Sequence, residues 1–224
     1  MNGKTHKIYK PQVTAEAYEK HAFHPLRIES ITEQLRHICY SGYTNILEIG
    51  VGRGFLKHVF RLFPQISHTT IDIAEDLSPD YVGSVTNMPF EDNQFDVVVC
   101  GQVLEHLPFT EFLPALKEIR RVARHKAIIS LPDKRRHFGL AVCFARFGWF
   151  RFEWNPARRR HASQELKFDG EHYWEIGCKG TLGKDVVRNI KQAGFKIEKQ
   201  YWLPKHAWHC FFILDVNKGL PNED

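Results

Sequence analysis

Residues 46–54 read Ile-Leu-Glu-Ile-Gly-Val-Gly-Arg-Gly, and Asp72 closes a second apolar run soon after. A short apolar strand ending in an acid, then alternating glycines, then a helical pattern leave few folds open. Glycine reaches positive φ and lets the backbone approach a ligand closely. Such a turn suits the join between a parallel strand and its crossover helix. The flanking pattern agrees. Phe55, Leu56, Val59, Phe60 and Phe63 mark one helix face, stopped at Pro64. Residues 69–73 read as a second strand, 81–85 as a weaker third, and 95–100 as a fourth. The fourth has the continuous apolar look of a strand buried on both faces. Phe112, Ala115, Leu116, Ile119 and Ala123 give a helix, and 127–131 a fifth strand. This alternation predicts an α/β fold with a doubly wound, mostly parallel sheet.

Outside 45–132 the rhythm changes. Residues 14–44 read as helices, with Pro25 starting a second one. Residues 133–180 are rich in aromatics and arginine, show no clear period, and read as an insertion after strand five. A helix near 182–193, ended by Gly194, and strands at 196–203 and 208–216 complete the pattern. The chain of 224 residues thus reads as one domain in four parts: 1–44, 45–132, 133–180 and 181–216. Five cysteines, odd in number and without a CxxC pair, predict reduced thiols and a cytoplasmic setting. Residues 138–152, the longest apolar stretch, are too short to span a bilayer and include Arg146 and Arg151. At most they allow peripheral contact with a membrane. The net charge of +5 does not demand a nucleic-acid partner.

The glycine loop also selects its ligand. Asp72 at a strand end can accept two hydrogen bonds from a ribose diol, and the crevice at the carboxyl ends of the strands is where open α/β sheets bind ligands. The following helix would offer unpaired N–H groups and the positive end of its dipole. A dinucleotide fingerprint needs G-x-G-x-x-G, but Phe55 stands where its last glycine belongs. Glu48, two residues before Gly50, would repel a pyrophosphate yet attract an ammonium group. The ligand predicted is an adenosine compound that is zwitterionic rather than phosphorylated.

Glu48-Ile-Gly50-Val-Gly52-Arg-Gly54, Asp72, the segment from Met88 to Asp96 and Val103-Leu-Glu105-His106-Leu resemble the class I S-adenosylmethionine-dependent methyltransferases. The likeness is to their broad small-molecule branch, and it covers residues 45–131 well and 181–216 loosely. It implies a seven-stranded Rossmann-like methyltransferase sheet and S-adenosyl-L-methionine as cofactor. It also implies roles. Glu48, Gly50, Gly52 and Gly54 belong to the loop at the methionine end, Asp72 holds the ribose, and Ile73 lies on the adenine. Ser84 and Val85 meet the adenine edge, with Ser84 where the family often has Asp. Gly101 and Gln102 line the methyl-transfer site. The family's Lys-Pro-Gly-Gly loop is replaced by Ala123-Arg-His-Lys126.

The acceptor side is less defined. A hydroxyl acceptor would gain from a base, and the candidates are His106, His172 and Glu171, with His137 and Asp133 behind them. Residues 169–175 (Asp-Gly-Glu-His-Tyr-Trp-Glu) read either as a substrate lid carrying that base or as an aromatic staple pinning the insertion. Tyr18, His21 and His24 read either as part of a cover over the cofactor or as ordinary helix surface. The basic runs 134–137 and 158–161, with Phe147, Trp149, Phe150, Phe152 and Trp154, read as a solvated patch, an anionic or glycan-binding surface, or an RNA contact. The Asn/Asp-Pro-Pro-aromatic motif of amino-group methylation is absent after strand four, where Cys100-Gly-Gln-Val103 stands. No H-E-x-x-H or convincing H-x-x-x-H occurs among the thirteen histidines, so no metal is expected. The sequence points to methyl transfer to oxygen of a small-molecule or glycan-type acceptor. A non-catalytic binding module and an RNA methyltransferase are the competing readings.

Overall fold

The computed structural model describes residues 24–39, 42–135, 138–144, 148–154, 168–203 and 208–216, the segments 138–144 and 148–154 by their backbone. Five strands, β1 (Asn45–Ile49), β2 (Ser67–Asp72), β3 (Tyr81–Val82), β4 (Phe95–Gly101) and β5 (Ala123–Pro132), run parallel to one another. β8 (Lys196–Trp202) and β9 (His209–Asp215) complete a seven-stranded sheet in the order β3-β2-β1-β4-β5-β9-β8. β9 is antiparallel to both of its neighbours. The helices are α1 (Pro25–Cys39), α2 (Phe55–Phe60), α3 (Phe109–Val122) and α4 (Gly183–Gln192). A separate antiparallel pair, β6 (Phe138–Phe144) and β7 (Gly148–Trp154), occupies part of the insertion, where no strand signal is read from the sequence.

The period of two in a strand sorts the core into two layers. Leu47, Ile49, Val98 and Cys100 face α3 and α4, where Phe112, Leu116, Val186 and Ile190 close the layer. Ile46, Val97 and Val99 face the opposite side, against Ile38 of α1 and Leu56 and Phe60 of α2. Both faces are covered, which is why β1 and β4 read as continuous apolar runs.

Two boundaries differ from the sequence expectation. β3 shrinks to two residues, because a bridge between Ser84 and Asn87 turns the chain away after Gly83. β5 starts at Ala123 instead of 127, directly at the end of α3, with Ala123 paired to Phe95. Residues 123–126 are therefore strand, not a turn. Tyr18, His21, His137, Phe147 and the run 158–161 lie outside the described residues.

Arg121 holds the first part of the segment from Met88 to Asp96. Arg121 donates to the carbonyls of Phe90 and Met88 at 2.7 and 3.1 Å, to Asp92 at 3.0 Å, and to both carboxylate oxygens of Glu118 at 2.8 and 2.9 Å. Glu118 in turn accepts the Met88 N–H at 3.1 Å. Phe90 is thereby seated edge-on against Phe95 at 4.9 Å. Lysine keeps the charge but has no planar fork to reach these acceptors together. Arg121→Lys is expected to cost about 1.5–3 kcal/mol, read from the shift in urea midpoint at unchanged slope.

Candidate functional site

The strand order reverses between β1 and β4, and a cleft of about 1050 Å³ opens there at their carboxyl ends. Most of the loop residues expected to meet a cofactor line it: Glu48, Gly50, Gly52 and Asp72. So do Ile73, Ser84, Val85, Gly101 and Gln102. Gly54 does not line the cleft. It is the left-handed residue (φ 68°) before α2, and its N–H donates to the Val51 carbonyl at 2.8 Å. A helix of six residues also contributes little dipole. The donors facing the cleft are therefore those of the loop itself.

Gly50 is the position where only glycine fits. Its φ is 81°, and a Cβ there would lie 2.2 Å from Cγ2 of Val103. The turn and the end of β4 touch backbone to side chain, which keeps the cleft floor narrow. Gly101 differs: a Cβ would meet the amide tip of Gln34 at 2.7 Å, and a flexible side chain can move.

The two acids of the loop are buried in different ways. Glu48 is 7% exposed, with His68 Nε2 3.2 Å from its Oε2, yet that oxygen receives no well-aligned hydrogen bond. Burial pushes its carboxyl up, and His68 only partly offsets this. A buried carboxylate short of a donor, at the cleft wall, suits an ammonium group. Asp72 accepts the Val51 N–H at 2.9 Å through one oxygen and the Ala74 N–H at 2.9 Å through the other. Burial raises its carboxyl despite these bonds. Each oxygen keeps a lone pair for a further donor. Ser84 Oγ shares a 2.9 Å hydrogen bond with Thr86 Oγ1, and Gln102, at φ 56°, donates to Ser130 Oγ at 3.2 Å.

At the other end of the cleft, residues 169–175 divide the two roles considered for them. Trp174 is the staple: 2% exposed, it donates to the Leu107 carbonyl at 3.0 Å and packs edge-on against Phe109 and Phe112. The Tyr173 N–H adds a 2.9 Å bond to the Glu105 carbonyl. His172, two residues before Trp174, faces the cleft and stands T-shaped to His106, ring centroids 5.1 Å apart. His172 Nδ1 lies 3.1 Å from Glu175 Oε1. Burial works to lower its pKa, but Glu175, Glu105 and Asp169 together raise it. His106 Nδ1 lies 2.9 Å from the carbonyl of Glu171. Glu171 itself is exposed at the rim and touches His106 through its backbone. Its carbonyl, not its carboxylate, meets the His106 ring. Asp133 leaves the candidate list. Its side chain is fully buried under the Arg135 guanidinium and accepts the Trp202 indole N–H at 2.8 Å, an anchor for the end of β5.

Several lining residues carry no local signal in the sequence. Ser30 and Gln34 of α1 wall one side, next to His24, one of the residues read as a possible cover, and Trp208 and His209 reach in from the start of β9. His209 Nδ1 is 3.0 Å from Ser30 Oγ. Glu105 is the most unusual: 0% exposed, with neither carboxylate oxygen hydrogen-bonded, and pushed up by burial.

Gly50→Ala combines a left-handed penalty with a collision, and a loss of about 2–4 kcal/mol is expected. Adding Val103→Ala should recover the collision part in a double-mutant cycle. Gly101→Ala should cost under about 1 kcal/mol. Urea denaturation of the four variants checks this.

Residues 47–131 match the model of the methyltransferase domain family. An uncharacterized protein of Methanocaldococcus jannaschii is 33% identical over 88 residues, 36% of this chain and 36% of the relative, so the match spans little more than a third of either. The fold is similar to that of an S-adenosylmethionine-dependent methyltransferase from Aquifex aeolicus. That likeness has a TM-score of 0.57 at 17% identity, covering 91% of this chain and 99% of that one. It is also similar to the N-methyltransferase NodS from Bradyrhizobium japonicum WM9, solved with S-adenosyl-L-homocysteine. There the TM-score is 0.55 at 15% identity, covering 88% and 90%. Residues 47–131, the part that matches the methyltransferase domain family, carry the glycine loop and Asp72.

Proposed function

We propose that this chain transfers the methyl group of S-adenosylmethionine to a hydroxyl of a small-molecule or sugar-bearing acceptor, with residues 133–180 as the cap on the acceptor side. The observation that carries the reading is one cleft with two unlike ends. Glu48 and Asp72 stand at one end, and the paired imidazoles of His106 and His172 at the other. The cofactor, when bound, supplies a methyl group already made electrophilic by its sulfonium.

Glu48 would hold the ammonium group and Asp72 the ribose hydroxyls. Ile73 and Val85 would flank the adenine, Ser84 would reach its amino group, and Gly101 and Gln102 would line the path of the methyl. Holding a nucleophile in line accounts for most of what the protein must do. An imidazole that takes the hydroxyl proton adds roughly 10²–10⁴-fold. His106 and His172, which line the cleft, would take that part, with the Glu171 carbonyl 2.9 Å from His106 Nδ1. NodS is an N-methyltransferase on the same fold. The choice of oxygen therefore rests on the imidazole pair, not on the fold. No helix among the described residues is long and apolar enough to cross a membrane.

Titration calorimetry with S-adenosylmethionine tests the cofactor half, and no heat at millimolar ligand would refute it. Asp72→Ala should weaken binding about 10–100-fold, the loss of one or two charge-assisted hydrogen bonds. Methyl-labelled cofactor offered with matched panels of alcohols and amines tests the acceptor half. Label moving to amines alone would overturn the oxygen reading.

A further inference from the structure

One feature of the cleft is left without a purpose by methyl transfer alone. Glu105 brings a carboxylate to full burial with no hydrogen bond to either oxygen. Such a group costs several kcal/mol unless something positive or donating meets it. His106 and His172 stand beside it: one potential ligand atom from each of the three residues lies within 4.8 Å of the others. The orientation of both rings is already set. The Glu171 carbonyl can only accept, so His106 carries its proton on Nδ1 when neutral, and Nε2 carries the lone pair. The Glu175 carboxylate fixes His172 in the same tautomer. A ring nitrogen tied to a carboxylate or a backbone carbonyl is the usual support of a metal-ligating histidine.

We propose that Glu105, His106 and His172 form a binding site for a divalent first-row transition-metal ion, of the zinc or manganese class, on the acceptor side of the cleft. Two imidazoles and one carboxylate make a three-ligand set that leaves positions open for water or substrate. Two nitrogen donors disfavour magnesium and calcium, which take oxygen. Bonds of 2.0–2.2 Å need donors about 3.4 Å apart. The side chains therefore close inward by roughly an ångström on binding. Asp169, His172 and Glu175 form a second candidate group. Its Glu175 is already engaged by His172 and by Lys134 Nζ at 3.5 Å, which makes it the support and Glu105 the ligand. Sequence spacing hides the site, because its ligands fall at 105, 106 and 172 and match no local metal motif. The binding of the ion stands by itself. Its part in chemistry, orienting the acceptor oxygen and making its hydroxyl more acidic in place of proton uptake by an imidazole, rests on the methyl-transfer reading above.

The test uses untagged, metal-stripped protein. Co²⁺ and Zn²⁺ are titrated separately by calorimetry, with the visible absorption of Co²⁺ followed in parallel. One ion per chain should bind at micromolar concentration or tighter and raise the melting temperature. Glu105→Gln and His172→Ala should each weaken binding at least tenfold, and the stabilisation by Zn²⁺ should vanish with it. Without metal, Glu105→Gln should melt no lower than the parent, since it replaces an unpaired buried carboxylate by a neutral amide. No saturable 1:1 binding, or binding that both variants retain, would overturn the site. S-adenosylmethionine is titrated into the same parent sample. Metal bound without cofactor refutes the methyl-transfer reading and keeps the site, and cofactor bound without metal does the reverse.

Discussion

The pairing of β1 with β4 at the centre of the sheet is the constraint on which the rest depends. Ile46–Ile49 pair in parallel with Val97–Cys100, and from there the chain winds outward in opposite directions. Connections leave the two strands on opposite faces, so nothing crosses above their carboxyl ends. The cleft is the consequence. Its floor is then set by the contact of the Gly50 turn with Val103, the first residue of the loop that follows Gln102.

Burial of charge organises the two ends of that cleft. Glu48 and Glu105 are both inside the protein, each with at least one carboxylate oxygen that receives no hydrogen bond. Away from the cleft, buried Asp133 is satisfied by Arg135 and Trp202, and half-buried Glu118 by Arg121 and the Met88 N–H. The contrast is physical. Acids that hold the fold together are saturated by fixed donors, while those at the cleft retain capacity for something that arrives.

The segment 169–176 shows how one stretch serves packing and chemistry together. Alternate residues divide the work. Trp174 is locked into the core, and His172 is delivered to the cleft beside His106. The lid and the staple looked like competing readings of the same residues, yet the chain bends at Tyr173, so His172 and Trp174, which a straight extended chain would set on one face, meet different surroundings.

The sequence by itself determined the β1–α2 turn, the parallel strands through β5 and the place of Glu48 and Asp72, because these rest on local pattern: apolar runs, glycine at a left-handed turn, and acids at strand ends. It also located Glu171 and His172 as residues of interest, without separating their parts. Only the tertiary structure decided that Gly54 stands behind the cleft, that Asp133 is an anchor, and that Glu171 meets His106 through its carbonyl. The same holds for Ser30, Gln34, Trp208 and His209 as cleft walls, and for the meeting of Glu105 and His106 with His172 across more than sixty residues of chain. Such encounters depend on where crossovers and the insertion return to the sheet. Long-range packing sets that return, and no local period encodes it.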